Sequence, residues 1–516
     1  MAGSEISYQC IGPNQYSVKL TIYRDCHGIA AAATETISYS SATCGVNASA
    51  SLSLVSTNDI TPLCPTATSA CGGSGSIGIE KLVYTGTINL PTGCTDWILS
   101  YDMCCRNDAI TNIAAPSSSD SYVQTTLNNT ITPCNSSPTF SSNPQLFGCV
   151  GQTINYQQLA TDPDGDVLVY SLVNAMVGPG TNVTYNGGFS GTSPFTVPAT
   201  INSATGQITF TPNVPQIAVV AVRVEEYRGG LLIGTTMRDI QFTIVACTNT
   251  VPALSGINNV PGDFSISTCA GTPVCFTLNA SDVDAGQSVT MTASNTIAGS
   301  TFTQSGSGAS ITGNFCWTPS ASDVGTYYIN VTAADNACPL IGQNSQVYEV
   351  IVTANPNAPV NAGANVSICA GNTTALLATS ASPSIVSYAW TPALGLSSPA
   401  TAATNATPTA TTNYTVLATY ADGCMSTDAV LVTIADDPVA TVTPSSSTVC
   451  GGANFMLSGT TDATGMNFQW FNPSMVSLGT GTVSGTGSTI VVTLPTAPGS
   501  YVYTLQVTNP ITGCQS

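Results

Sequence analysis

Residues 217–226 read IAVVAVRVEE, a run of Ile, Val and Ala broken only by Arg223 before two glutamates. Such a run is too short for a helix and rich in the β-branched residues that suit a pleated strand. Residues 327–333 (YYINVTA), 415–419 and 429–434 (AVLVTI) read the same way. Between such runs, turn residues return about every ten positions, and no stretch of helical length carries a 3.6-residue period. Many short strands with regular turns imply an all-β protein built of sandwiches or barrels.

The chain has 516 residues, which at ~100–150 residues per domain leaves room for three to five domains. Only 6% of residues are charged, against ~25% in ordinary soluble proteins. With 26 Asp+Glu, 7 Lys+Arg and one His, the net charge is −19. Binding a phosphate backbone needs clustered Lys and Arg, so nucleic acid is excluded as a partner. An anionic membrane surface is disfavoured on the same ground. Hydrophobic residues make up 43%, ample for several cores, while Ser, Thr and Asn supply solubility.

There are 19 cysteines and no C-x-x-C pair, and the single His27 cannot complete a Cys₂His₂ zinc site. Disulfides in an oxidising, extracellular setting are expected. No 18-residue apolar run exists, so no membrane span is expected. The first nine residues are polar and strand-like rather than a signal peptide, so the chain is read as processed or trimmed.

Repeats organise the rest. The triplet C-x-G recurs at Cys149, Cys269, Cys369 and Cys450, each time before a strand. Asp162 and Asp282 each follow their cysteine by thirteen residues. Both repeats then carry G-x-[IF]-x-[FW]-T-P, at 206–212 and 313–319. The last two repeats instead share Trp390 and Trp470, and a late Gly-Cys at Cys424 and Cys514. Pro/Asn-rich stretches at 134–144, 248–261, 355–359 and 436–444 mark boundaries. The expected domains are 1–133, 134–247, 248–355, 356–435 and 436–516, the last without its final strand. The first is a disulfide-rich β domain with eight cysteines, Cys10, Cys26, Cys44, Cys64, Cys71, Cys94, Cys104 and Cys105, whose pairing sequence leaves open.

Few constellations carry chemistry. Asp162-Pro-Asp164-Gly-Asp166 sets three carboxylates at alternate positions of a glycine turn, as oxygen-seeking Ca²⁺ requires, and Asp282-Val-Asp284 repeats the first two. The bland alternative is a solvated Asx turn. Vicinal Cys104 and Cys105 read as structural half-cystines rather than a redox centre. Trp97, Trp317, Trp390 and Trp470 are either core residues or an aromatic platform for a glycan, and alternation favours the core. With one His and no G-x-S-x-G elbow, a catalytic triad has nothing to stand on, and no enzymatic activity is expected. N-x-S/T sequons, at Asn128, Asn182, Asn330 and Asn372 among others, are common by composition alone.

The segment 159–172, LATDPDGDVLVYSL, resembles the A-x-D-x-D…Y-S segment of cadherin-like repeats. That resemblance implies Ca²⁺ at the two aspartates, helped by an acid on a later strand and by an Asn/Pro linker. Here the later acid is Glu225 or Glu226 in one repeat and Asp335 in the other. The linker survives as Asn135…Pro138…Phe140 and Asn249…Pro252, without its acids. The metal set is therefore Asp162, Asp164, Asp166 and Glu226, then Asp282, Asp284 and Asp335, with Ca²⁺ expected to rigidify domain junctions.

Three further segments, 3–26 (GSEISYQCIGPNQYSVKLTIYRDC), 97–113 (WILSYDMCCRNDAITNI) and 223–244 (RVEEYRGGLLIGTTMRDIQFTI), resemble the N-terminal region of large Bacteroidetes surface proteins. These are the gliding-motility-associated, type IX-secreted proteins with PKD/Ig-like repeats. The fourth domain, with YAWTPALGLSS at 388–398, resembles one of their PKD-like repeats. The resemblance implies a non-enzymatic cell-surface stalk, adhesin or self-assembling filament, with other copies of itself or surface polymers and glycans as partners. Contacts through Ser, Thr and Asn would resist screening by salt. The alternative is a secreted carbohydrate-binding or carbohydrate-processing protein with accessory Ig-like modules, which predicts Trp side chains open on a common groove.

Strand parity orders the later cysteines. In a seven-strand sandwich the first and sixth turns lie at opposite ends, ~20 Å apart, too far for a disulfide. A staggered scheme between successive domains follows: Cys149–Cys338, Cys269–Cys424 and Cys369–Cys514, with Cys275–Cys316 inside the third domain and Cys450 left over. The in-domain alternative pairs Cys269–Cys338, Cys369–Cys424 and Cys450–Cys514.

Overall fold

A computed structural model describes residues 1–516 apart from 74, 76, 141, 142, 145, 146, 295, 296 and 483–486. The protein is all-β, with tandem β-sandwiches after a disulfide-rich N-terminal β region; its described helical residues lie in short 3₁₀ turns. Two compact units divide it. The first takes residues 1–267, 273–318 and 325–351; the second takes 352–516 together with the turns 268–272 and 319–324.

The N-terminal strands are β1 (Gly3–Gly12), β2 (Gln15–Asp25), β3 (Thr34–Ser41), β4 (Val46–Asp59), β5 (Ile79–Asn89), β6 (Trp97–Met103) and β7 (Ser121–Leu127). They neighbour one another in the order β1-β2-β5-β4-β3-β6-β7, and both ends of that series pair with the strand Leu231–Val245. The circuit of hydrogen-bonded neighbours therefore closes. A ring of about eight strands has an interior that side chains fill, and here Tyr8, Tyr16, Leu20, Leu52, Tyr84, Trp97 and Leu99 fill it.

This closure overturns the boundary expected at 133/134. Leu231–Val245 belongs to the second repeat, where it pairs along its length with Gln216–Arg228, yet it also completes the N-terminal ring. The IAVVAVRV run explains why. Val220, Val222 and Val224 face one core with Phe210 and Phe242, while Val219 and Ala221 face another with Ile110, Ile113 and Met237. A strand buried on both faces loses its alternation and reads as continuous apolar sequence.

The third repeat packs the sheet Ala253–Leu254, Val274–Ser281, Ser310–Trp317, Thr301–Ser307 opposite the sheet Ser265–Cys269, Gln343–Thr353, Gly325–Ala334, Thr290–Ser294. Val274–Ser281 alternates buried and outward residues along its length, as one covered face requires. In the second unit, Trp390, Tyr414, Val416 and Val432 centre one core, and Phe468, Trp470 and Val507 centre another.

All four C-x-G triplets make one turn. Gly151, Gly271, Gly371 and Gly452 have φ between +78° and +84°, a left-handed conformation that glycine adopts without a Cβ penalty. In each, the amide three residues after the cysteine bonds back to the cysteine carbonyl.

The disulfides are Cys10–Cys134, Cys26–Cys71, Cys44–Cys94, Cys64–Cys338, Cys104–Cys105, Cys149–Cys247, Cys269–Cys424, Cys275–Cys316 and Cys369–Cys514. Cys450 is free and exposed. The expected Cys149–Cys338 bond is thus corrected. Phe147–Cys149 runs parallel to the last strand of its repeat, with Cys149 beside Val245, so Cys247 just beyond that strand's end is within reach, Cα to Cα 5.4 Å. Cys338 goes instead to Cys64, whose amide bonds the Pro339 carbonyl. The later repeats differ in where the late cysteine sits. Cys369 lies beside Ala435 at the end of Met425–Ala435, whereas Cys424 precedes the start of that strand. About ten residues at ~3.3 Å each keep those two apart.

Candidate metal centre

The turn 162–166 is shaped by its own first residue. Asp162 Oδ1 accepts the amides of Asp164 (2.8 Å) and Asp166 (3.1 Å), and Gly165 takes φ +81°. Ligand oxygens of Asp162, Asp164 and Asp166 all come within 4.8 Å of one another. From the linker, the Ser136 amide donates to Asp164 Oδ2 at 2.6 Å, and Asn135 Nδ2 donates to Glu226 Oε1 at 2.6 Å. Four acids and the linker asparagine therefore meet at one end of the second repeat.

Two carboxylate oxygens there are buried without a hydrogen-bond donor, Asp162 Oδ2 and Glu226 Oε2. Burial pushes the Glu226 carboxyl up to about 8, with Asp162 and Asp166 adding to the rise. Burial also raises Asp162. Asp166 moves the other way, because its hydrogen bonds with the Arg228 guanidinium favour the charged form. Hard, anionic oxygens with free lone pairs are the donor set Ca²⁺ takes, and these residues fit that ion. Gly234 lies across from Glu226, and a Cβ on it would come 2.8 Å from Glu226 Oε2.

The second set repeats this wiring. Asp282 Oδ1 accepts the Asp284 amide (2.7 Å), and the Thr250 amide donates to Asp284 Oδ2 (2.6 Å). Asn249 Nδ2 donates to Asp335 Oδ2 (2.8 Å), and Asp282 Oδ2 is buried without a donor. Gly342 abuts Asp335 as Gly234 abuts Glu226. Burial raises the Asp282 carboxyl, helped by Asp335 and Asp284. Asp335 is held by the Ala337 and Gly342 amides. Among the described residues, Asp282, Asp284 and Asp335 do not draw as close together as the first triplet.

Other singled-out residues fall elsewhere. Trp97, Trp317, Trp390 and Trp470 are all interior, none more than 4% exposed. His27 is exposed beside Asp25. Cys104 and Cys105 are bonded to each other, next to the buried ion pair of Arg106 with Asp239. Asn330 is buried, and its side chain donates to Ser294. Glu225 pairs with Arg223 and not with the acidic turn. Sequence reasoning passed over Arg228 altogether, although a chain with seven basic residues makes each of them informative.

No family model matches the chain, and no curated protein matches it. Among solved structures, it is similar to protocadherin gamma B2 extracellular cadherin domains 3–6 at 16% identity, covering 74% of this chain and 97% of that one, with a TM-score of 0.17. It is also similar to the N-terminal eight Ig domains of Down Syndrome Cell Adhesion Molecule at 10% identity, covering 100% and 99%, with a TM-score of 0.24. Titin domains z1z2, solved in complex with telethonin, match 37% of this chain and 100% of theirs at 14% identity and TM-score 0.16. Scores this low carry no inference about function. Among the described residues no helix is long and apolar enough to cross a membrane.

Proposed function

We propose that this chain is a non-enzymatic extracellular structural or adhesive protein, a surface stalk or self-assembling fibre of tandem β-sandwiches. The observation that carries this reading is the forward pairing of cysteines, Cys269–Cys424 and Cys369–Cys514, each joining the C-x-G turn of one repeat to the late Gly-Cys turn of the next. Covalent links between repeats fix spacing, which a spacer needs and a set of independent binding modules does not. Nine disulfides fit an oxidising, extracellular site of action. The interior position of every Trp removes the aromatic platform that a glycan-processing reading called for. Ca²⁺ is part of this proposal, with Asp162, Asp164, Asp166 and Glu226 as one candidate set of ligands and Asp282, Asp284 and Asp335 as the other. A gliding-associated, type IX-secreted setting, with copies of itself or surface glycans as partners, is the finer form of the proposal.

Electron microscopy of the purified protein tests it. Rods of uniform length, or filaments, that become irregular on adding a reductant are expected. Compact monodisperse particles unchanged by reductant would overturn it.

A further inference from the structure

The two acidic turns share their wiring but not their charge. At the first, the Arg228 guanidinium forks onto Asp166, with Nε 2.7 Å from Oδ1 and Nη2 on Oδ2. Nη2 also donates to Asn135 Oδ1 at 2.7 Å and lies 3.5 Å from Asp164 Oδ2. One cation thus touches the turn and the linker together, in the bidentate geometry that makes Arg–carboxylate pairs strong. Its position is set by the hairpin it opens. Arg228 pairs with Leu231 across a two-residue turn, Gly229 and Gly230, both at positive φ. Such turns hold the flanking residues in register.

At the second turn the matching position is empty of charge. Arg228 follows Glu226 by two residues, and the residue two after Asp335 is Ala337, which contributes only its amide. No Lys or Arg occurs anywhere after Arg238.

We infer that Arg228 is the resident counter-cation of the first acidic turn and decides which of the two turns depends on a divalent ion. The first holds its linker through a cation without added metal; at the second the matching contact is made by neutral Gln287, whose Nε2 donates to Asn249 Oδ1 (2.6 Å) and Asp284 Oδ2 (3.4 Å) and leaves the acids uncompensated. This inference rests on the reading of both turns as cation sites, with Ca²⁺ as the ion where no side chain serves. It extends that reading by naming the residue that separates them.

Calcium titration calorimetry and thermal melts of the full chain, in EDTA and in Ca²⁺, test it with Arg228→Gln, Arg228→Lys and Asp282→Asn. Wild type is expected to bind one Ca²⁺, Asp282→Asn none and Arg228→Gln two. Arg228→Gln should melt about 3–5 °C below wild type in EDTA and recover in Ca²⁺, while Arg228→Lys stays near wild type. If Arg228→Gln does not fold in EDTA, refolding on adding Ca²⁺ supports the inference and failure to refold overturns it. Unchanged stoichiometry and unchanged melting in EDTA for Arg228→Gln overturn the inference, even where wild type binds Ca²⁺. A wild type that binds none, beside an Arg228→Gln that binds one, supports Arg228 as the counter-cation of the first turn but overturns the divalent-ion dependence of the second. No binding by either protein sinks both.

Discussion

Glu226 has no exposed surface, one oxygen on Asn135 and the other without a donor. Its carboxyl is held up to about 8, against ~4.3 in an unfolded chain. The folded state therefore binds the extra proton between those two values. Stability from this group is complete below about pH 4.3 and falls as pH rises to about 8, by at most about 1.4 kcal/mol per pH unit. Asp162, also raised by burial, acts in the same direction. Asp166, lowered by Arg228, acts oppositely, but only in the acid range below the ordinary aspartate value. In EDTA, the urea midpoint should fall from pH 5.5 to pH 8.5, and Glu226→Gln should flatten that dependence. Equal slopes in both proteins would show that Glu226 is not the group responsible. At this scale the sequence made the acids visible, because carboxylates at alternate positions around a glycine form a local pattern. Arg228 stayed hidden, since its partner Asp166 lies 62 residues earlier and only the pairing of Val167–Val173 with Gln216–Arg228 brings the two together.

The strand Leu231–Val245 places Arg238 and Asp239 side by side at its centre, both fully interior. Successive strand residues face opposite ways. Arg238 accordingly meets Glu5 of β1, with its guanidinium over the Phe140 ring, while Asp239 takes both Arg106 nitrogens at 2.9 and 2.7 Å. One strand thus needs two buried ion pairs of opposite sense, because it has protein on both faces. Breaking a buried pair leaves an uncompensated charge, at a cost of about 3–5 kcal/mol. Asp239→Ala should lose that much in urea unfolding, and replacing Arg106 and Asp239 together by apolar residues should recover most of it. A loss below 1 kcal/mol would mean that water reaches the pair. The run IAVVAVRV announced a strand. Its lack of alternation also held the second message, burial on both faces, which undid the boundary at 133/134. The C-x-G turns were legible for a local reason, since a left-handed glycine after a cysteine is fixed within four residues. Pairing Cys149 with Cys338 failed because its repeat carries the late cysteine after the final strand, a placement visible only once the strand ends are known.

For the molecule as a whole, the disulfides Cys269–Cys424 and Cys369–Cys514 close loops that overlap rather than nest. A pull applied just before Cys269 and just after Cys514 would cross from Cys269 to Cys424, run backwards along the backbone to Cys369, and cross again to Cys514. The tether between those points can release only the roughly 55 residues from 369 to 424, about 190 Å at ~3.4 Å per residue. A reduced chain offers roughly 245 residues there, about 800 Å. Single-molecule stretching should therefore show this region lengthening by the short step in oxidising buffer and by the long one after reduction. A long step without reductant would mean that the overlapping bonds do not form. Even with every sandwich in this region torn open, the oxidised chain would keep its partners within about a quarter of the distance that bare polypeptide allows, which makes it a strap with a built-in stop.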